Sequence, residues 1–114
     1  MDDCIFCKIA SGAIPSKKIY EDDLLIAFHD IAPQAPVHVL VVPKKHISGV
    51  NELAADDLAL VGHVYSVIQQ LVRELKIDES GYRVVVNSGK DGSQSVPHLH
   101  FHVLGGRSLA WPPG

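Results

Sequence analysis

Apolar positions along the 114-residue chain fall into two distinct periods. Leu58, Val61, Tyr65, Ile68, Val72 and Leu75 recur at alternating three- and four-residue steps. That spacing predicts one long amphipathic helix with an apolar stripe against a core. Asp56 and Asp57 suit its first turn, and Arg73 and Lys76 its last, where each complements the helix dipole. Elsewhere the pattern is that of strands. Residues 17–21 and 24–30 predict two short strands joined by a turn at Asp22-Asp23. Residues 37–42 are β-branched and apolar on both faces, as a central strand requires, and Pro43 closes them. Residues 82–87 and 98–104 predict two more strands, the last ended by Gly105-Gly106. Residues 5–11 predict one or two helical turns, stopped by Gly12 and Pro15. The two prolines of Ala32-Pro33-Gln34-Ala35-Pro36 force an extended loop, and residues 88–93 are rich in turn formers.

Together these elements predict an α+β domain with a largely antiparallel five-stranded sheet, one long helix on one face and a short N-terminal helix. With no repeat, low-complexity tract or linker, residues 1–114 read as a single domain, with 108–114 as a C-terminal tail. Hydrophobic residues at 46% and charged residues at 20% are ordinary globular usage. The net charge of −3 lacks the basic footprint of a nucleic-acid-binding protein. No window approaches the length of a membrane span, and Met1-Asp2-Asp3 is unlike a secretory leader. The expectation is a cytoplasmic protein with neither membrane nor nucleic-acid partner.

Chemistry concentrates in two places. Three of the seven histidines stand within His98-Leu99-His100-Phe101-His102. A side-chain period of two puts His98, His100 and His102 on one face and Leu99, Phe101 and Val103 on the other, beneath the helix. His38 alternates in the same sense as Leu40 and Val42, and joins the histidines if the two strands pair. Each imidazole brings two polar nitrogens that need partners, which makes a row of three a poor filler. A three-histidine metal site fits less well, because alternate residues spread along the strand by about 7 Å per step of two. The preceding loop, Asn87 and then residues 89–95, offers backbone N–H groups and neutral donors that suit phosphate oxygens. An imidazole nucleophile beside an anion cradle points to phosphoryl or nucleotidyl transfer. The second place is Cys4-x-x-Cys7. Without an export signal, metal ligation or redox chemistry precedes a structural disulfide, and two buried thiols remain the plain alternative. A thioredoxin-type motif needs a preceding strand, and only three residues precede Cys4.

The run His98-Leu99-His100-Phe101-His102-Val103-Leu104 resembles the signature of the histidine triad family. Gly92-Ser93-Gln94-Ser95-Val96-Pro97 and the ending from Gly105-Gly106-Arg107 to Trp111-Pro112-Pro113-Gly114 resemble its Hint branch. Phe28-His29-Asp30-Ile31, Pro33-Gln34-Ala35-Pro36 and Val42-Pro43-Lys44-Lys45-His46-Ile47 extend the likeness over nearly the whole chain. The resemblance implies a hydrolase of adenosine or other purine nucleoside 5′-phosphoramidates. It would act through a nucleotidyl-histidine intermediate and release AMP, or another nucleoside monophosphate, and an amine.

On that likeness His100 is the nucleophile, His38 holds its tautomer, and His102 and Ser95 complete the catalytic set. Asn87, Ser93, Gln94, Ser95, His100 and His102 are expected around the α-phosphate. Asp30, with Ile31 beside it, is expected at the ribose, and Ile5, Phe6, Ile9 and Phe28 around the base. Cys4, Cys7, His46 and His98 are the implied ligands of a structural zinc, with no organic cofactor. His29 and His63 are left without a role and are expected to face solvent.

The family likeness also implies a homodimer with a sheet continuous across two subunits and a C-terminal tail reaching toward the partner's active site. Pro97 and Ala110 depart from residues frequent in the branch, which bears on leaving-group preference. Two other readings stay open: a dinucleoside polyphosphate hydrolase, as in the Fhit branch, and a nucleotide- and zinc-binding interaction module. Redox switching through Cys4 and Cys7 is a third.

Overall fold

Five antiparallel strands make one sheet in the order β1-β2-β3-β5-β4 in the computed structural model, which describes residues 3–114. The strands are β1 (Lys18–Glu21), β2 (Leu25–His29), β3 (Val37–Pro43), β4 (Tyr82–Val85) and β5 (Phe101–Gly105). The helices are α1 (Ile5–Ala10) and α2 (Leu58–Glu74), with 3-10 turns at Val50–Glu52 and Ala55–Asp57. The reading of Met1 and Asp2 as part of a non-secretory N-terminus lies outside the described residues. No helix among the described residues is long and apolar enough to cross a membrane.

The central strand β3 is buried along almost its whole length, and its alternation divides the molecule into two cores. Val39 and Val41 face α2 in a cluster with Leu25, Ala27, Phe101 and Val103 from neighbouring strands and Val64, Ile68 and Leu71 from the helix. Leu40 and Val42 face the other way, against Ile26, Phe28 and the α1 residues Phe6 and Ile9. Pairing of Leu40 with His102 across β3 and β5 puts His102 on the α1 face. Leu99, Phe101 and Val103 lie beneath α2, as the alternation predicts.

Most boundaries fall within one residue of the expected ones; the two larger differences, at β5 and β4, share one reason. β5 begins at Phe101, so His98 and His100 precede the strand. Here the backbone leaves β3: Leu99 N–H donates to the Ile47 carbonyl at 2.6 Å, and the Pro43 carbonyl is taken by the His98 ring. With β5 starting there, β4 finds its last partner at Val85, opposite His102, and stops short of residues 86–87.

The α2 stripe is also rotated from its expected line. Val64, Val67, Ile68, Leu71 and Val72 are the buried set, while Leu58 and Tyr65 are 63% and 46% exposed. Apolar residues cover more of this helix than the sheet can cover, so spacing identifies the helix without fixing which stripe docks. His63 is not a free surface residue either. Its Nε2–H donates at 2.6 Å to Asp22 Oδ2, which also accepts from the Tyr20 hydroxyl at 2.7 Å. That bond fastens α2 to the β1–β2 turn.

Candidate functional site

On the α1 face of the sheet, Ile5, Phe6 and Ile9 of α1 overhang β2, β3 and β5 and close one side of a cleft of about 310 Å³. Phe28, Leu40, Ile31, Ser95 and Val96 line it as well, together with Asp30, His100 and His102; the polar atoms of Asp30 and His102 lie within 4.8 Å of each other. Ile31 is 97% exposed at the rim. Such a pairing of an apolar slot with a few convergent polar groups is what small-molecule sites commonly offer. Leu40 and Val96 are additions to the expected lining. The alternation that placed His38 toward this face carries Leu40 with it and was the available signal.

The protonation of the histidines follows from their backbone partners. The Gln34 N–H donates to His38 Nδ1 at 3.0 Å, so the ring proton of neutral His38 sits on Nε2. That Nε2–H donates to His102 Nδ1 at 2.9 Å, which leaves the His102 proton on its own Nε2. Asp30 Oδ2 lies 3.5 Å from His38 Nε2, while Asp30 Oδ1 accepts the Ala32 N–H at 2.8 Å. His100 is fixed separately: its Nδ1–H donates to the His98 carbonyl at 2.6 Å. Its Nε2 therefore carries a free lone pair. The expected contact of His38 with His100 is thus replaced by one with His102, because His100 lies before the strand and its backbone neighbour reaches it first.

Burial favours the neutral forms. It lowers the His38 pKa against an opposing pull from Asp30. His102 is pushed down to about 4 by burial, with the adjacent His100 and His38 rings adding to the effect. Phe6 holds this group edge-on, with ring centroids 5.0 Å from His100, 6.0 Å from His98 and 5.8 Å from Phe28. Neutral imidazoles keep their lone pairs for attack or hydrogen bonding near pH 7.

The loop before the triad is braced internally. Gln94 Oε1 accepts the Gly89 N–H at 3.0 Å, and its Nε2 donates to the carbonyls of Ser48 at 2.7 Å and Val96 at 3.1 Å. The expectation that the Gln94 side chain faces a phosphate is corrected accordingly: it is spent on backbone groups. Asn87 and Ser93 do not line the cleft, whereas Ser95 does. Gly92 is dictated by space, because a Cβ there would lie 2.5 Å from the Ser88 carbonyl oxygen. Ser93 adopts a left-handed φ of 62° to complete the turn.

Beside the cleft, Cys4, Cys7, His46 and His98 bring four ligand atoms within 4.8 Å of one another, close enough to hold a metal. His98 Nδ1 is 3.3 Å from Cys4 Sγ, 3.5 Å from Cys7 Sγ and 3.1 Å from His46 Nδ1, and Cys7 Sγ is 3.2 Å from His46 Nδ1. A tetrahedral ion with bonds of 2.0–2.3 Å sets its ligand atoms about 3.3–3.8 Å apart, close to these distances. His98 Nε2–H donates to the Pro43 carbonyl at 2.8 Å, which directs the unprotonated Nδ1 at the cluster. Donor types and spacing therefore fit a tetrahedral divalent metal.

Known proteins share both the sequence pattern and the fold. The model of the HIT domain matches residues 11–109. The chain is similar to an uncharacterized HIT-like protein of Synechococcus elongatus, with 51% identity over 99% of this chain and 98% of that one. Its structure is similar to the crystal structure of a HIT family hydrolase from Legionella pneumophila. The TM-score is 0.97 and the identity 46%, over 98% of this chain and 100% of the other. It is also similar to a histidine triad nucleotide-binding protein from Candida albicans. There the TM-score is 0.82 and the identity 37%, over 96% of this chain and 83% of that one. From the matched sequence and the shared fold together, the chain belongs to the HIT domain family.

Proposed function

We propose that this protein is a hydrolase of purine nucleoside 5′-phosphoramidates, adenosine phosphoramidate among them. The observation that carries the reading is the pair of fixed tautomers, His100 with a free Nε2 and His102 with an Nε2–H, at the polar end of an apolar slot. The names of two similar proteins, a hydrolase and a nucleotide-binding protein, support it.

The purine lies in the slot of Ile5, Phe6, Ile9 and Phe28, and the ribose hydroxyls bond the remaining lone pairs of Asp30. His100 Nε2 attacks the α-phosphorus and the P–N bond breaks. The departing nitrogen leaves as the amine, with one proton taken from solvent at the open side of the cleft. The positive charge that develops on the His100 ring is drawn through Nδ1–H onto the His98 carbonyl. His102 Nε2–H and the Ser95 hydroxyl donate to the phosphoryl oxygens. Water then attacks the nucleotidyl-histidine, the new P–N bond breaks, and the proton returns to solvent as the monophosphate forms. Asn87 and Ser93 act from the surrounding loop, Ser93 through its backbone.

Zinc in the Cys4–Cys7–His46–His98 cluster is part of the same proposal, in a structural role with all four positions held by protein. So is a homodimer with a continuous sheet. β4 is an edge strand, and Tyr82, Tyr65 and Leu58 are exposed apolar residues suited to cover by a second copy. The tail is fastened to β4 by Arg83, which donates to the Ala110 carbonyl at 2.9 Å. The Arg83 guanidinium also lies 5.9 Å from the Trp111 ring. Trp111 is 81% exposed and so available to a partner's cleft.

Hydrolysis of adenosine 5′-phosphoramidate by wild type and His100→Ala tests the proposal. AMP formation that falls by at least about 10³-fold in the variant is expected, since no other group supplies the attacking lone pair. Equal rates in the two proteins, or cleavage of dinucleoside polyphosphates alone, would overturn it.

A further inference from the structure

α1 has only six residues, too few to hold its conformation without outside anchorage. It nevertheless carries Ile5, Phe6 and Ile9, one whole wall of the cleft. The same short segment carries both cysteines, whose sulfurs meet histidines from elsewhere in the chain. Cys4, at the N-cap, accepts the Cys7 N–H and lies against His98, and Cys7 lies against His46 and His98. His98 in turn has a second duty, because its carbonyl receives the His100 Nδ1–H. Phe6 packs edge-on against both of these rings. One cluster thus touches both the wall of the cleft and the residue that sets the His100 tautomer.

We propose that the Cys4–Cys7–His46–His98 cluster is energetically coupled to the nucleotide cleft, so that a tetrahedral divalent metal and a nucleotide each tighten the binding of the other. The metal clamps α1 to the sheet and holds the base wall closed. A bound base presses the same wall down and preforms the ligand set. Reciprocity is required: whatever factor the metal contributes to nucleotide affinity, the nucleotide contributes to metal affinity. Cys4 and Cys7 are then positioning residues, acting on the base through α1. The inference rests on the reading of the cleft as a nucleotide site.

The test uses the full chain, zinc-loaded or stripped with a chelator, and AMP as the probe. The expected result is AMP binding weakened at least tenfold by stripping, and zinc affinity raised by the same factor at saturating AMP. Backbone amides of residues 7–11 should exchange faster in the stripped protein, while those of β3 and α2 keep their protection, which separates loosening of α1 from unfolding. Cobalt(II) in place of zinc gives a second readout, since its thiolate absorption reports Cys4 and Cys7 directly. Its affinity should rise with AMP in wild type but not in Phe6→Ala, where α1 has lost its link to the cleft. AMP bound equally with and without metal would overturn the coupling and leave the nucleotide site standing. Zinc held with an affinity that AMP does not change would likewise overturn the coupling alone, whereas AMP bound by neither form would remove both the coupling and the nucleotide site.

Discussion

His38 Nε2 lies 2.9 Å from His102 Nδ1, and the direction of that bond is set by a main-chain N–H four residues away, at Gln34. A loop with two prolines thereby decides which nitrogen of His102 carries its proton. His38→Phe keeps the ring volume and removes the donor, so His102 loses its orientation. A fall of about 10²-fold in kcat, with KM changed little, is the expected outcome, as for a group misplaced by an ångström. His38→Gln offers an amide N–H at similar reach and should recover part of the loss. Steady-state kinetics on a nucleoside phosphoramidate check both, and an unchanged kcat in His38→Phe would remove His38 from the mechanism.

The same two histidines predict an acid sensitivity. His102 binds a proton with a pKa of about 4 in the folded chain, against about 6.5 when unfolded. Between those values the unfolded state holds more protons, so stability rises with pH there and is lost as pH falls from about 6.5 toward 4. His38 contributes with the same sign, since burial lowers its pKa as well. Thermal melts at pH 7 and pH 5 should show a smaller drop in Tm for His102→Gln than for wild type. Equal drops would mean that these rings do not govern the acid limb.

The loop before the triad offers two opposite substitutions. Ser93 occupies a left-handed conformation at φ 62° that costs a residue with a Cβ roughly 1 kcal/mol. Ser93→Gly should therefore stabilise the fold by up to about 1 kcal/mol, less the added freedom of the unfolded chain, and keep its activity. Gln94→Ala removes three hydrogen bonds between side chain and backbone. It should cost about 1–3 kcal/mol and raise KM by loosening the loop that carries Ser95. Denaturant melts and kinetics on both variants check the pair, and a Gln94→Ala protein with native KM would contradict the bracing role.

Away from the cleft, Asp22 gathers the Tyr20 hydroxyl, the His63 ring and the N–H groups of Leu24 and Leu25. Burial pushes its carboxyl pKa up, but these bonds outweigh that and hold it well below the usual carboxylate range. Asp22→Asn should lower stability by about 1–3 kcal/mol at pH 7 without changing kcat. Urea denaturation provides the check, and an unaltered midpoint would show that the clip between α2 and the β1–β2 turn is idle.

The alternation of His98 through Val103 was sufficient to place three apolar side chains under α2 and His102 opposite them, because a strand's side chains have only two directions. The sharp Gly and Pro signals likewise bounded α1 and the 32–36 loop, whereas His46 and His98 joined the two cysteines only through the family resemblance. Sequence spacing also identified α2, but it could not choose between Tyr65 and Val64 as the buried line, since that depends on where the sheet ends. The loss of regular strand at His98 and His100 was equally hidden. It arises from a carbonyl of Pro43 and one of Ile47, which no local pattern connects to residues some fifty positions on.

The pattern of apolar, histidine and cysteine positions by itself determined the fold class and the two places where chemistry concentrates; the family resemblance supplied the remaining site residues. Only the tertiary structure decided which nitrogen faces the cleft, that His38 serves His102 while the His98 carbonyl serves His100, and that Gln94 is spent inside its own loop. The reason is physical: side-chain direction within an element is local geometry, whereas a tautomer is set by whichever backbone group the folded chain brings within 3 Å.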